Sequence, residues 1–123
     1  MRLHHLAIQV PDLDAAAAFY IGVLGLVVIR RQDHALWVDG GGTIIMLERC
    51  AGTDIEDRGR PWKHDAPGLF VLAFSIEPSK RQTWRDTLAA AQITIDHESA
   101  FSLYFRDPWG TRLALSHYPA PAS

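Results

Sequence analysis

Two segments of the chain share the same alternation of apolar and polar or small residues. Residues 4–10 (HHLAIQV) and 70–76 (FVLAFSI) both contain a Leu-Ala pair followed by large and polar side chains in turn. A period of two is typical of a β-strand with one buried face. The repetition predicts a chain built from two copies of one folding unit, each beginning with a strand.

Each of these strands is followed by a helical pattern and then by further strand-like runs. Asp12 precedes the alanine-rich run 13–24 and is a suitable N-cap, because its carboxylate can accept hydrogen bonds from the first backbone N–H groups of the helix. In the second copy a helix is predicted over 80–91, with Arg81 and the other charged residues on its solvent side. The remaining strands are predicted at 26–29, 35–38 and 43–48 in the first copy, and at 93–95, 101–105 and 111–116 in the second.

These elements predict an α+β fold made of two tandem βαβββ modules in a single domain, residues 1–123. Module one spans 1–49 and module two spans 68–118. The polar and charged stretch 50–67 connects them, and 119–123 forms a short tail.

The alternation also predicts which side of each sheet the first strand presents to its helix. The apolar set of each strand should lie under the helix, and the other set should face away from it. The helix-facing residues are Leu6, Ile8 and Val10 in module one and Leu72, Phe74 and Ile76 in module two. The residues facing away are His5, Ala7, Gln9, Val71, Ala73 and Ser75.

Composition narrows the classes of function. The chain has 123 residues, 48% of them hydrophobic, and a formal net charge of −2, which with no Lys/Arg cluster argues against a nucleic-acid partner. Its apolar runs are short and interrupted, so we expect neither a membrane span nor a signal peptide. The single cysteine, Cys50, excludes an internal disulfide. A cytoplasmic protein is expected.

Three stretches resemble the vicinal oxygen chelate superfamily, which includes glyoxalase I, fosfomycin resistance enzymes, extradiol dioxygenases and bleomycin resistance proteins. They are the opening MRLHH (1–5), the string FYIGVLGL (19–26) and the turn YFRDPWG (104–110). The resemblance implies that the two modules form a cup-shaped, curved mixed sheet that binds a small molecule. It also implies a homodimer.

The resemblance implies a metal centre with up to four ligand positions, on the first and last strands of each module. In this sequence those positions fall on His5, Met46, Val71 and Ala114. Glu48 lies two residues beyond Met46 on the same face and is an alternative ligand. A catalytic zinc site normally keeps three protein ligands, so His5 and Glu48 alone would hold a cation weakly. We therefore expect no metal cofactor, with Zn, Ni, Fe or Mn as the alternative.

A third ligand would have to come from another histidine. His64, in the connector just before module two, is the first candidate. His34, His97 and His117 are the others, including from a partner chain.

Two functions stay open. The first is metal-free binding of a small organic molecule by a mixed apolar and polar face. The second is an enzyme of the same superfamily, a lyase or isomerase, a dioxygenase or a thiol transferase, that uses a divalent metal. Without metal, His5 and Glu48 are candidates for a catalytic acid–base pair if they lie within hydrogen-bonding reach, or they are a remnant of a lost site. The expected ligand contacts are Gln9, Trp37, Met46, Val71, Ser75, Tyr104, Ala114 and Ser116.

Overall fold

The computed structural model describes residues 1–52 and 67–122 of the chain. The fold divides into two compact units, Met1–Asp54 and Ile55–Ser123. Each unit contains one four-stranded sheet, with a helical segment between the first and second strands. The helices within the described ranges are all too short or too polar to cross a membrane.

The first unit folds as βαβββ. Its sheet has the strand order β1-β4-β3-β2, with β1 parallel to β4 and the other neighbours antiparallel. The helix α1 packs against β3 and β4. The elements are β1 (His5–Val10), α1 (Leu13–Ala17), a π-helical segment (Ala18–Val23), β2 (Val27–Arg31), β3 (Ala35–Asp39) and β4 (Ile44–Arg49).

The second unit repeats this order. Its sheet runs β5-β8-β7-β6, again with the first strand parallel to the last and the other pairs antiparallel. The elements are β5 (Leu72–Ser75), a 3₁₀ turn (Pro78–Lys80), α2 (Arg81–Ala90), β6 (His97–Glu98), β7 (Ser102–Arg106) and β8 (Arg112–Ser116). The predicted α+β class with two tandem βαβββ modules is confirmed.

The duplication extends to the register of the strands. In the first sheet Met46 lies between Ala7 and Trp37 on the neighbouring strands. In the second sheet Ala114 lies between Ala73 and Tyr104 in the same way. Because directly opposed residues share one face of a sheet, each position in module one has a defined counterpart in module two.

The start of the first helix forms as the sequence predicts. The Asp12 carboxylate accepts hydrogen bonds from the N–H groups of Asp14 and Ala15, at 3.0 and 3.1 Å. The helix predicted over 13–24 is present, but its second half is π-helical, and the N–H of Leu24 reaches the carbonyl of Phe19 at 3.1 Å. Tyr20, which belongs to this π-helical segment, is fully buried.

The strand predicted at 93–95 is wrong. The N–H of Ile93 closes the end of α2 on the carbonyl of Leu88, at 2.9 Å, and does not pair with a strand. Contact with β7 begins only where the N–H of Asp96 reaches the carbonyl of Tyr104, at 2.7 Å, so the strand is β6. β-branched residues favour a strand only where a neighbouring strand is available to pair.

The predicted sidedness of the first strands is confirmed. In β1 the residues His5, Ala7 and Gln9 are exposed, while the intervening apolar residues are half-buried or buried. β5 alternates in the same phase. Among the described residues, the largest fully enclosed side chains are Val10, Tyr20, Val38, Ile45 and Leu47 in the first unit and Leu88, Leu103, Phe105 and Leu113 in the second.

Candidate functional site

The face of the first sheet that points away from α1 has an apolar centre. Met46 on β4 is flanked by Ala7 on β1 and by Trp37 on β3. Opposed side chains on adjacent strands have Cβ atoms roughly 5 Å apart, so these three residues form one row across the sheet. The row offers hydrocarbon, thioether and aromatic surface to a ligand.

A polar pair lies at the C-terminal end of the same two parallel strands. Gln9 opposes Glu48, and both side chains lie on the Met46 face because alternation returns every second residue. An amide next to a carboxylate offers both hydrogen-bond donors and acceptors. This end of the face can therefore orient a polar group of a ligand.

Trp37 carries an unusual polar atom. Its indole Nε1 is buried and has no hydrogen-bond partner among the described residues. The guanidinium of Arg30 lies over its ring, 5.8 Å from the centroid, within the range of a cation–π contact. The aromatic ring beside Met46 is thus held from one side by a cation.

The register does not bring His5 and Glu48 together. His5 opposes Ile44, whereas Glu48 opposes Gln9, four residues further along the same pair of strands. At about 3.3 Å per residue this separation is about 13 Å between the two rows. A general acid–base pair needs contact through a hydrogen bond or one water. His5 and Glu48 of one chain are too far apart for either contact, so they do not form such a pair.

His5 instead contacts its own neighbour in the chain. Its Nδ1 lies 2.8 Å from Nδ1 of His4, and the two rings meet edge to face with centroids 5.0 Å apart. One of these nitrogens donates and the other accepts, so the Nδ1 atoms are engaged with each other. Both side chains are exposed.

The equivalent centre of the second sheet is also apolar. Ala114 on β8 lies between Ala73 and Tyr104 and is only 1% exposed. Val71, the counterpart of His5, directly precedes β5 and is half-buried. Ala114 can form the floor of a ligand surface, but its own contact area is small.

A polar pair again ends the parallel strands of the second sheet. Ser75 opposes Ser116 at the position that Gln9 and Glu48 occupy in module one. The hydroxyl of Ser102 donates to the hydroxyl oxygen of Ser116 at 2.9 Å. The duplicated architecture therefore places an apolar centre and a hydrogen-bonding end on both faces.

The other histidines that were candidates for a third ligand have different settings. His64 lies outside the described residues. His34 is exposed in the turn before β3, the ring of His97 lies 5.8 Å from that of Tyr104, and His117 is buried. Within residues 1–52 and 67–122, no three His, Cys, Asp or Glu side chains are placed to share a metal ion.

The prediction that Arg81 faces solvent is wrong. Arg81 is buried at the start of α2, and its Nη1 lies 2.9 Å from Nε2 of His117. Its Nη2 donates to Glu98 Oε1 at 3.2 Å and to the carbonyl of Ser99 at 2.8 Å. This arginine joins the helix to the β6–β7 hairpin and to the segment after β8, so its role is structural.

Neighbouring charges set the titration of Glu98. The hydrogen bond from Arg85, and then that from Arg81, lower the pKa of the Glu98 carboxyl below its ordinary value of 4.5. In module one, the N–H groups of Gly42 and Gly41 lower the pKa of Asp39 in the β3–β4 turn. Asp39 lies on the Trp37 face of β3 but at its far end, in the row of Ile44 and His5.

Residues 2–115 match the family model of the Glyoxalase/Bleomycin resistance protein/Dioxygenase superfamily. Among curated proteins, the chain is similar to the human mitochondrial methylmalonyl-CoA epimerase, with 34% identity over an alignment that covers 62% of this chain and 47% of that protein. The chain thus spans about half the length of the curated relatives that it matches.

Solved structures share the fold. A glyoxalase/dioxygenase from Nostoc punctiforme superimposes with a TM-score of 0.80 at 22% identity, covering 97% of this chain and 92% of that one. The fosfomycin resistance protein FosX from Listeria monocytogenes, complexed with Mn(II) and sulfate ion, gives a TM-score of 0.76 at 18% identity, with 94% and 89% covered. At these identities the similarity establishes the fold alone.

Proposed function

Since the chain belongs to the Glyoxalase/Bleomycin resistance protein/Dioxygenase superfamily, we propose that it binds a small organic molecule on the sheet faces that point away from its helices, without a complete metal centre. One observation carries the proposal. The four positions that the family resemblance assigns to metal ligands hold His5, Met46, Val71 and Ala114, and the equivalent registers of Met46 and Ala114 support this assignment.

These four side chains do not fit a divalent cation. They supply one imidazole, one thioether and two hydrocarbon groups. Hard cations require several oxygen ligands, and a catalytic zinc site requires three nitrogen, sulfur or oxygen ligands. Glu48 does not complete the set of metal ligands, because it lies four residues along the strands from the row that contains His5. We therefore derive no chemical step through a metal.

The same faces suit a ligand with an apolar body and a polar end. In module one, Met46 and Trp37 offer apolar surface, and Gln9 and Glu48 offer hydrogen bonds next to it. Small-molecule sites combine a largely apolar lining with a few placed polar groups. A neutral aromatic amide matches this arrangement, since Glu48 can accept from its N–H and Gln9 can donate to its carbonyl.

In module two, Tyr104 supplies the aromatic surface above the Ala114 floor, Val71 adds an aliphatic edge, and Ser75 with Ser116 supplies the hydroxyl groups. Hydroxyl groups donate and accept equally well, so this face places no demand on the charge of the ligand.

Elemental analysis of protein purified without chelator tests the absence of a metal centre. We expect well under about 0.1 equivalent of Zn, Ni, Fe or Mn per chain, and the same content in His5→Ala. Stoichiometric metal that is lost in His5→Ala would overturn the proposal.

Titration with 2-naphthamide tests the ligand site, with naphthalene as the control that lacks the polar end. We expect saturable shifts of the amide signals of Gln9, Trp37 and Met46 by heteronuclear NMR, and weaker binding of naphthalene. No saturable shift on either sheet face would count against the binding proposal.

The curated relatives favour one alternative function. The matched relatives are named as methylmalonyl-CoA epimerases, so an isomerase acting on an acyl thioester is the second candidate. Deuterium incorporation into methylmalonyl-CoA in D₂O, measured by mass spectrometry with and without added divalent metal, distinguishes this function from binding alone. Exchange above the uncatalysed rate that is lost in His5→Ala would support it.

We further propose that the chain forms a homodimer, as the family resemblance implies. Light scattering coupled to size-exclusion chromatography should give twice the mass of the 13.7 kDa chain. A single monomer peak at high protein concentration would refute this part of the proposal.

A further inference from the structure

A cavity of about 470 Å³ lies at one end of module one, away from the candidate ligand face. We call it the end cavity. It is bounded by the first turn of α1, by the β2–β3 turn and by the last residue of β4. Its lining includes Arg31, Arg49, Asp14, Asp33, Leu13 and Leu36.

The strand registers place the end cavity on the helix side of the sheet. Arg31 opposes Leu36, and Leu36 opposes the fully buried Leu47. Arg49 opposes Val10, which is also fully buried. Both arginines therefore belong to the face opposite to the Met46 face, so a ligand of the end cavity would not occupy the site proposed above.

The strand order sets the spacing of the two arginines. Arg31 is on β2 and Arg49 on β4, with β3 between them. Arg31 is level with Leu36 on β3, whereas Arg49 is level with His34, whose carbonyl accepts from the Arg49 N–H at 2.8 Å. With strands about 4.8 Å apart and about 3.3 Å per residue along them, the two arginine backbones are about 12 Å apart. A carboxylate at this end of β3 would be within reach of both long side chains.

The charged side chains that line the end cavity do not form ion pairs with one another. The side chains of Arg31, Arg49, Asp14 and Asp33 are exposed and form no ion pair or hydrogen bond within the described ranges 1–52 and 67–122. Asp12, the other acidic lining residue, is already engaged as the helix cap. Two positive and two negative groups thus line one cavity without forming an ion pair with one another.

We propose that the end cavity binds a small zwitterion of about dipeptide size. The carboxylate of the ligand is held by the guanidinium groups of Arg31 and Arg49, which match carboxylate geometry in a forked, charge-assisted contact. The ammonium group is held by Asp14 and Asp33. The volume of the end cavity lies at the small end of the range for ligand pockets. This size suits a dipeptide whose two residues have small side chains.

The requirement for both charges gives the first test. L-alanyl-L-alanine is titrated against the whole chain by heteronuclear NMR, beside N-acetyl-L-alanyl-L-alanine, which lacks the ammonium group, and L-alanyl-L-alaninamide, which lacks the carboxylate. We expect saturable shifts at Asp14, Gln32 and Arg49, and binding of each blocked form at least about tenfold weaker. Equal binding of a blocked form, or no saturable shift up to about 10 mM peptide, would overturn the proposal.

Paired variants give the second test. Arg31→Gln and Asp14→Asn should each weaken dipeptide binding at least about tenfold. Arg30→Gln is the matched control, because Arg30 is the adjacent residue but opposes Trp37 on the other face of the sheet. An unchanged amide spectrum away from the cavity shows that each variant folds. A loss in Arg30→Gln equal to that in Arg31→Gln would contradict the assigned site.

Discussion

Nη1 of Arg81 lies 2.9 Å from Nε2 of His117, and both side chains are buried. Arginine stays protonated and can only donate, so Nε2 of the histidine must accept. The proton of the neutral ring is then on Nδ1, which donates to the carbonyl of Ala120 at 2.6 Å. This chain of contacts ties the start of α2 to the segment that follows β8.

The first prediction concerns the contribution of Arg81 to stability. Arg81→Met keeps the aliphatic stem but removes the donors to His117, Glu98 and Ser99. We expect a loss of about 3 kcal/mol in the free energy of unfolding, since a buried, multiply bonded charge is removed from its partners. Chemical denaturation measures it.

Arg85→Met is the control for that prediction. Arg85 pairs with the same Glu98 oxygen, but its side chain is 36% exposed, and we expect a loss of only about 0.5 kcal/mol. Equal losses in the two variants would show that burial of Arg81 adds nothing.

The second prediction is that the free energy of unfolding falls at acid pH as Glu98 becomes protonated. Its folded-state pKa is lowered from 4.5 by Arg85 and Arg81, so the unfolded chain binds this proton more readily. The contribution is therefore fully present above pH 4.5 and is lost as the pH falls through the lowered value. Glu98→Gln should cost about 0.5–1 kcal/mol at neutral pH, and this difference should shrink toward zero in acid.

Denaturation curves from neutral pH to about pH 3 test that prediction. Glu77→Gln serves as the control, because Glu77 is exposed and forms no ion pair with the described residues. A gap between wild type and Glu98→Gln that stays constant down to acid pH would refute the linkage.

The third prediction compares two glycines at the end of the first helix. Gly22 lies within the π-helical segment, and an added Cβ would meet nothing within 4 Å. Gly25 is equally open but has a φ of +77°, where an L side chain is strained. Gly22→Ala should raise the free energy of unfolding by about 0.5–1 kcal/mol, and Gly25→Ala should lower it by about 1 kcal/mol. Thermal denaturation separates the two, and a shared sign would contradict the backbone assignment.

Local patterns in the sequence were enough to predict much of the fold. The alternation of apolar and polar residues predicted the two faces of β1, and the position of Asp12 predicted the helix cap. Both features depend only on residues that are close in the chain. The strand at 93–95 was misplaced, since the pairing of Ile93 depends on where β7 lies. Neither the run of β-branched residues nor their spacing carries that information.

The candidate site was predictable only in part, for the same reason. The residues facing away from the helix follow from period two, but the separation of His5 from Glu48 depends on the parallel register of β1 and β4. The partnership of Arg81 with His117 joins residues that are distant in the sequence. A charged residue in the first turn of an amphipathic helix gives no signal that it will be buried.

The last prediction separates the two faces of β4 with adjacent residues. Leu47 is fully buried on the helix side, whereas Met46 is half-buried on the proposed ligand face. Leu47→Ala should lower the free energy of unfolding by about 3 kcal/mol, through lost burial and the cavity left behind. Met46→Ala should cost about 1 kcal/mol and weaken binding of 2-naphthamide about tenfold, because it removes the centre of the apolar row.

Chemical denaturation and the naphthamide titration together decide the outcome for this pair. Leu47→Ala should bind the probe normally under conditions where it is folded, because the side chain points away from the ligand. If Met46→Ala binds the probe as well as wild type does, the ligand does not lie on this face. If Met46→Ala also loses as much stability as Leu47→Ala, Met46 belongs to the core, and the proposed surface in module one does not exist.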